Sequence, residues 1–151
     1  MPERGRARRS PITVALLSSL IIAWVASACS NSPTSPSNNA PFSQSDLRAG
    51  TGATAASGQT LSVNYTGWFF DGSKTDQKGL VFDSNRGKDA FTFTLGVGAV
   101  IDGWDQGLTG MQVGGIRRLV VPPSLAYGSS RRGSIPPNST LLFEVELLDA
   151  Q

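Results

Sequence analysis

Histidine is absent from this 151-residue chain and cysteine occurs once, at Cys29. Those two scarcities remove whole reaction classes. No Ser-His-Asp relay can be assembled, the common zinc sites lack ligands, and no intrachain disulfide can form. Phosphate-binding signatures are missing too, since neither a P-loop nor a GxGxxG after a strand occurs. There is no internal repeat and no sign of a second core. A nucleic-acid role would need a clustered basic face. Beyond the first 28 residues the only basic pairs are Arg117-Arg118 and Arg131-Arg132, which read as solvated strand and loop charges.

What is present begins with a targeting pattern. Arg4, Arg6, Arg8 and Arg9 precede an uncharged apolar run over residues 11–25, which ends in Ala26-Ser27-Ala28-Cys29. Basic, apolar and small-residue regions in that order read as an export signal over residues 1–28, too short and wrongly flanked for a comfortable membrane span. An unpaired cysteine in an exported chain needs a reason, and Ala-Ser-Ala-Cys resembles the bacterial lipobox, with Ala26 where leucine is commoner. Cys29 is therefore the expected lipid-attachment residue, and the cell envelope, periplasm or outer membrane, the expected location. Removing the signal takes Lys plus Arg from 13 to 9 and Asp plus Glu from 11 to 10, so a net charge of +2 becomes −1. The basic character is a targeting effect.

Residues 29–45 are almost all Ser, Asn, Pro and Thr, with too little apolar surface to offset the entropy of ordering. They read as a disordered tether, followed by one folded domain over residues 46–151. Within it, Leu61, Val63 and Tyr65 alternate with Ser62 and Asn64, the period of a strand with one buried face. Phe91, Phe93 and Leu95 repeat the pattern, as do Leu141, Phe143, Val145 and Leu147. A further strand is expected over residues 115–121, although Arg117-Arg118 breaks its alternation. One segment reads as helical, residues 100–109, where Ile101, Trp104 and Leu108 recur at spacings of three and four. Glycine and proline concentrate at the joins. Many strands, one short helix and turn-rich connections predict an α+β domain, an antiparallel sheet against one helix.

Six fragments then stand in order: NYTGW around Tyr65, VFDSNRG, FTFTLG, VIDGWDQGL, PPSLAYG and IPPNSTLLFEVELL. Together they resemble the FKBP-type peptidyl-prolyl cis-trans isomerases, the immunophilins that bind the macrolides tacrolimus and rapamycin, across nearly the whole expected domain. The resemblance implies a half-barrel of antiparallel strands wrapped around the short helix, with no metal and no cofactor. It also implies that Tyr65, Phe82, Asp83, Trp104, Tyr127 and Phe143 act as catalytic residues, with the Trp104 indole as the floor of a proline pocket. Phe91, Val100, Ile101 and Ile135 complete its walls as substrate-binding residues.

Such a pocket suits the composition, because rotation about an X-Pro peptide bond needs neither nucleophile nor metal. The expected activity is therefore isomerisation of X-Pro bonds in exported polypeptides by a monomer tethered to a membrane, with macrolides as ligands and no nucleic-acid partner. The rival reading is a non-catalytic module, a chaperone or adhesin that holds Pro-containing peptides. Each residue also has a plainer role: Phe91, Phe93, Phe143 and Trp104 as core, Asp83 paired with Arg86 on the surface. Two segments depart from the smallest family members. Residues 69–81 read as an enlarged edge loop, and the basic loop 128–134 carries Arg132 and Ser134 where the family often has histidine and an apolar residue.

Overall fold

The computed structural model describes residues 39–151. The expected signal, Cys29 and most of the tether lie outside those residues. Six strands and one helix follow in the order β1 (Ser43–Arg48), β2 (Thr60–Phe70), β3 (Lys78–Ser84), β4 (Phe91–Thr94), α1 (Asp102–Leu108), β5 (Ile116–Val121) and β6 (Leu141–Ala150), with a 3-10 turn at Pro123–Leu125. The strands form one antiparallel sheet in the order β1-β5-β6-β2-β3, and β4 pairs with the first part of β2. The sheet does not close, and α1 packs against its inner face.

The alternation in β2 and β6 predicts that face well. Leu61, Val63, Val145 and Leu147 are buried around Trp104 and Leu108 of α1 in a single cluster. The helix is seven residues long and has no side-chain N-cap, so packing must hold it, because isolated helices of this length are marginal in water. Its glycines make the packing close. A Cβ on Gly103 would lie 2.4 Å from Val121 Cγ1, and one on Gly107 would lie 2.6 Å from Leu119 Cδ2. Helix and β5 therefore meet with almost no side chain between them on the helix's side.

Three features differ from expectation. Regular structure begins upstream of residue 46: β1 opens at Ser43, Phe42 packs on the main cluster and Ala40 on a second one. Every residue of β1 is exposed, so its sequence carries no apolar alternation, and backbone pairing with β5 defines it together with the charged contacts of Asp46 and Arg48. Of the segment over 69–81 only residues 71–77 are loop, and its flanks extend β2 and β3 into a hairpin, in which Phe70 pairs with Lys78 and Trp68 with Val81. Phe69-Phe70 breaks the alternation because both faces are covered there. Phe69 packs on the main cluster, whereas Phe70 joins Val120 and Leu142 in a small cluster on the outer face.

The third difference is Arg117, which is no solvated strand charge. It stays in phase with Leu119 and Val121 on the inner face, its side chain 9% exposed. Its guanidinium donates from Nε to Asp46 Oδ1 (2.6 Å) and from Nη2 to Asp46 Oδ2 (3.1 Å). Nη1 donates to the carbonyl oxygens of Gly107 and Thr109 at the end of α1 (2.8 and 3.3 Å). One side chain thus satisfies the carbonyls that a helix C-terminus leaves orphaned and ties α1 to β1. The hydrogen bonds from Arg117 hold the Asp46 carboxyl below its ordinary value of 3.8. A depressed carboxyl stabilises the fold fully above its unfolded value and loses that contribution as pH falls through the folded one. Asp46→Asn should lower the unfolding free energy at pH 7 by about 1–2 kcal/mol, the range for charge-assisted bonds with one exposed partner. Urea titrations from pH 6 to pH 2 should show the two proteins converging at the acid end.

Candidate active site

Aromatic rings from four strands and the helix converge on one side of the inner face. Trp104, on α1, is 4% exposed. Tyr65 of β2 meets its indole edge-on at 5.2 Å between centroids, and Phe143 of β6 does so at 5.3 Å. Phe82 of β3 stands at 89° to Phe143, 5.6 Å away, and Phe91 of β4 closes the opposite side at 6.2 Å from the indole. Edge-to-face contacts at these distances are the favoured aromatic geometry. They hold each ring upright around the indole, leaving a concavity of about 270 Å³ above it.

Nine of the ten residues predicted to line a pocket do so: Tyr65, Phe82, Asp83, Phe91, Val100, Ile101, Trp104, Tyr127 and Phe143. Ala99 joins them. Ile135 does not. It is 6% exposed within the main cluster, because its backbone exchanges two hydrogen bonds with Arg132 (3.1 and 2.9 Å) and closes a tight turn above it. The plainer roles are also sorted by the geometry. Phe93 is core at 7% exposure, whereas Phe91 is 40% exposed and faces the concavity. Asp83 does not pair with Arg86, whose nearest carboxylate is Glu146 at 3.8 Å.

Instead, Asp83 Oδ2 accepts the Tyr65 hydroxyl at 2.6 Å. Burial, and then this bond, push the tyrosine well above its ordinary value near 10. Its hydroxyl stays protonated across the physiological range and orients the carboxylate. The wall therefore carries one satisfied polar pair. The Tyr127 hydroxyl and the Trp104 indole N–H, buried and unpartnered among the described residues, are the other polar groups of a mainly aromatic and aliphatic lining.

Two side chains outside the predicted set position these walls. At Asn64 and Tyr65, β2 exchanges its partner β4 for β3, and the backbone there would be unpaired. Asn85 fills the gap: its Oδ1 accepts from the Tyr65 N–H (2.7 Å), and its Nδ2 donates to the carbonyls of Val63 (3.0 Å) and Asp89 (3.2 Å). It wedges the sheet open where Tyr65 enters the site. Asp105, one turn short of the end of α1, accepts the N–H groups of Gly96 (2.8 Å) and Gly98 (3.0 Å), fixing the loop that leads to Ala99, Val100 and Ile101. Nothing local in the sequence marks either residue, because their partners belong to other elements. Asn85→Ala removes three bonds from a buried side chain and should cost about 2–4 kcal/mol in chemical denaturation, with no smaller loss at pH 7 for Asn85→Asp, which keeps the acceptor for Tyr65 but sets a carboxylate oxygen against the Val63 and Asp89 carbonyls.

An open antiparallel sheet on one short helix, with a concavity floored by Trp104, is the arrangement that the resemblance of the six fragments implies. The family model for FKBP-type peptidyl-prolyl cis-trans isomerase matches residues 52–148, and the chain belongs to that family. It is 47% identical over 105 residues to an FK506-binding protein of Neisseria meningitidis serogroup B, covering 68% of this chain and 90% of that relative. It is 50% identical over 101 residues to the peptidyl-prolyl cis-trans isomerase FKBP53 of Arabidopsis thaliana, covering 66% of this chain but only 20% of that much longer protein. Among solved structures, AtFKBP13 superposes with a TM-score of 0.61 at 39% identity, over 73% of this chain and 93% of that one. FkpA from Escherichia coli gives 0.60 at 40% identity, over 73% of this chain and 48% of that one.

Proposed function

We propose that this chain catalyses cis-trans rotation about X-Pro peptide bonds in exported polypeptides, from a lipid anchor at Cys29. The observation that carries the activity is the apolar concavity over Trp104 with its single polar pair. Rotation about the amide is slow because resonance favours the planar form, with a barrier of roughly 18 to 20 kcal/mol. For X-Pro the two planar isomers differ by only about 1 kcal/mol, so one site can serve both directions. Exchange without a catalyst takes tens of seconds, and turnover near 100 per second requires about 10³ to 10⁴-fold, or roughly 4 to 5.5 kcal/mol.

Removing water can supply much of that. The planar amide carries a charge separation that water solvates, and twisting reduces it. Transfer into a cavity walled by Tyr65, Phe82, Phe91, Trp104 and Phe143 therefore raises the planar state relative to the twisted one. In this reading the prolyl ring rests on the indole. The Ile101 backbone N–H, at the extended residue preceding α1, and the Tyr127 hydroxyl orient the substrate carbonyl. Asp83, held by Tyr65, faces the part of the cavity where the amide turns. The same apolar walls suit FK506-type macrolides such as tacrolimus and rapamycin, in keeping with the name of the Neisseria relative. The protein works as a monomer with no cofactor.

The test is an isomer-specific protease-coupled assay on a Leu-Pro peptide with the full-length chain. Acceleration that tacrolimus abolishes is expected. Phe82→Ala should lower kcat/KM by about tenfold, equivalent to roughly 1.4 kcal/mol of transition-state binding. Peptide binding without acceleration would sink the enzyme reading and leave a holding module. Anchoring is tested separately by mass spectrometry of the protein from its bacterial envelope, where an acylated Cys29 at the mature N-terminus is expected and an unmodified thiol overturns the anchor.

A further inference from the structure

A second cavity, about 360 Å³ in volume, adjoins the first. The two share a rim made by Ala99, Val100, Ile101 and Tyr127. Beyond that rim the lining includes two charged residues, Asp102 and Arg132. Arg132 is held there: its backbone is closed onto Ile135, which the core buries, and its guanidinium lies over the Tyr127 ring at 5.8 Å from the centroid. Ile135 is thus the buried anchor of the loop.

The charge of Arg132 is uncommitted. Arg48, Arg86, Arg117 and Arg118 each face a carboxylate within ion-pair distance, whereas among the described residues Arg131 and Arg132 do not. Asp102 also lines the cavity and, like Arg132, faces no opposite charge within ion-pair distance among the described residues. The guanidinium, however, lies over the Tyr127 ring, which is part of the shared rim, so a side chain crossing that rim meets the cation. A cation placed this way attracts anionic side chains and repels cationic ones, and the effect weakens as salt screens it.

We propose that this cavity receives the side chain of the residue preceding proline, and that Arg132 biases it toward Asp and Glu over Lys and Arg. The inference rests on the substrate placement under Proposed function. With the carbonyl of the rotating amide at Ile101 and Tyr127, the Cα that bears the preceding side chain is one bond away from that carbonyl carbon. The shared rim then leads that side chain over Ile101 and Tyr127 into the second cavity.

The experiment compares kcat/KM on Glu-Pro, Lys-Pro and Leu-Pro peptides at low ionic strength, with fluorescence anisotropy of the same labelled peptides to read binding without turnover. A Glu/Lys ratio of about two- to fivefold is expected, the range an exposed charge pair supports. Arg132→Gln should bring the ratio near one and Arg132→Glu should invert it. Arg131→Gln removes the same charge from the loop but not from the cavity, and should move the ratio less. The ratio is internal to each variant, so a general loss of activity does not obscure it. A ratio unmoved by both Arg132 variants overturns the proposal, as does an equal response to Arg131→Gln. Preserved binding order with no turnover on any peptide would sink the isomerase reading while leaving this subsite standing.

Discussion

The contact between α1 and β5 sets the depth of everything above it. Gly103 and Gly107 let the helix backbone lie against Val121 and Leu119 at distances that no Cβ would tolerate. That places Trp104 low enough to serve as a floor, with room above it for Tyr65, Phe82, Phe91 and Phe143 to stand as walls. A helix raised by the thickness of one methyl group would push the indole into the space the substrate needs. Close-packed interiors pass such displacements on, because they have few voids to absorb them. The glycines cost helix propensity, which is consistent with a helix held by tertiary contacts and by the Arg117 guanidinium at its end.

The site that results does little covalent chemistry and does not need to. Tyr65 and Asp83 satisfy each other, and apart from the Tyr127 hydroxyl and the Trp104 indole N–H the rest of the lining is hydrocarbon. Histidine, the commonest proton shuttle near neutral pH, is absent from the chain. Rotation about a prolyl amide needs only an environment in which the planar, charge-separated form is less favoured than in water. The modest rate demand and the modest polarity of the site match each other.

The sheet has two working faces, and confusing them is how the hairpin and Arg117 escape a reading by periodicity. The inner face follows a strict alternation in β2 and β6, so its strands and its aromatic residues are legible from residue types alone. On the outer face, Phe70, Val120 and Leu142 form a small cluster of their own, which blurs the pattern and makes a strand resemble a loop. Arg117 breaks the pattern in residue type but not in phase: a charge can occupy a core position when a carboxylate and two helix carbonyls meet it there. Polar β1 has no apolar pattern, since backbone pairing with β5 and the ion pairs of Asp46 and Arg48 specify it.

Residue order and spacing alone determined the fold class, the single short helix and most strand positions, because apolar alternation and helical spacing record which face of each element is buried, whereas nine of the residues that line the pocket came from the resemblance of six fragments and not from periodicity. Only the tertiary structure decided that Ile135 anchors a loop, that Asn85 and Asp105 brace the walls, that Asp83 answers Tyr65 and not Arg86, and that Arg132 stands uncommitted beside a second cavity. Those outcomes depend on distances between residues far apart in the chain, and hydrogen bonds and ion pairs are decided by such distances, whereas periodicity records only burial.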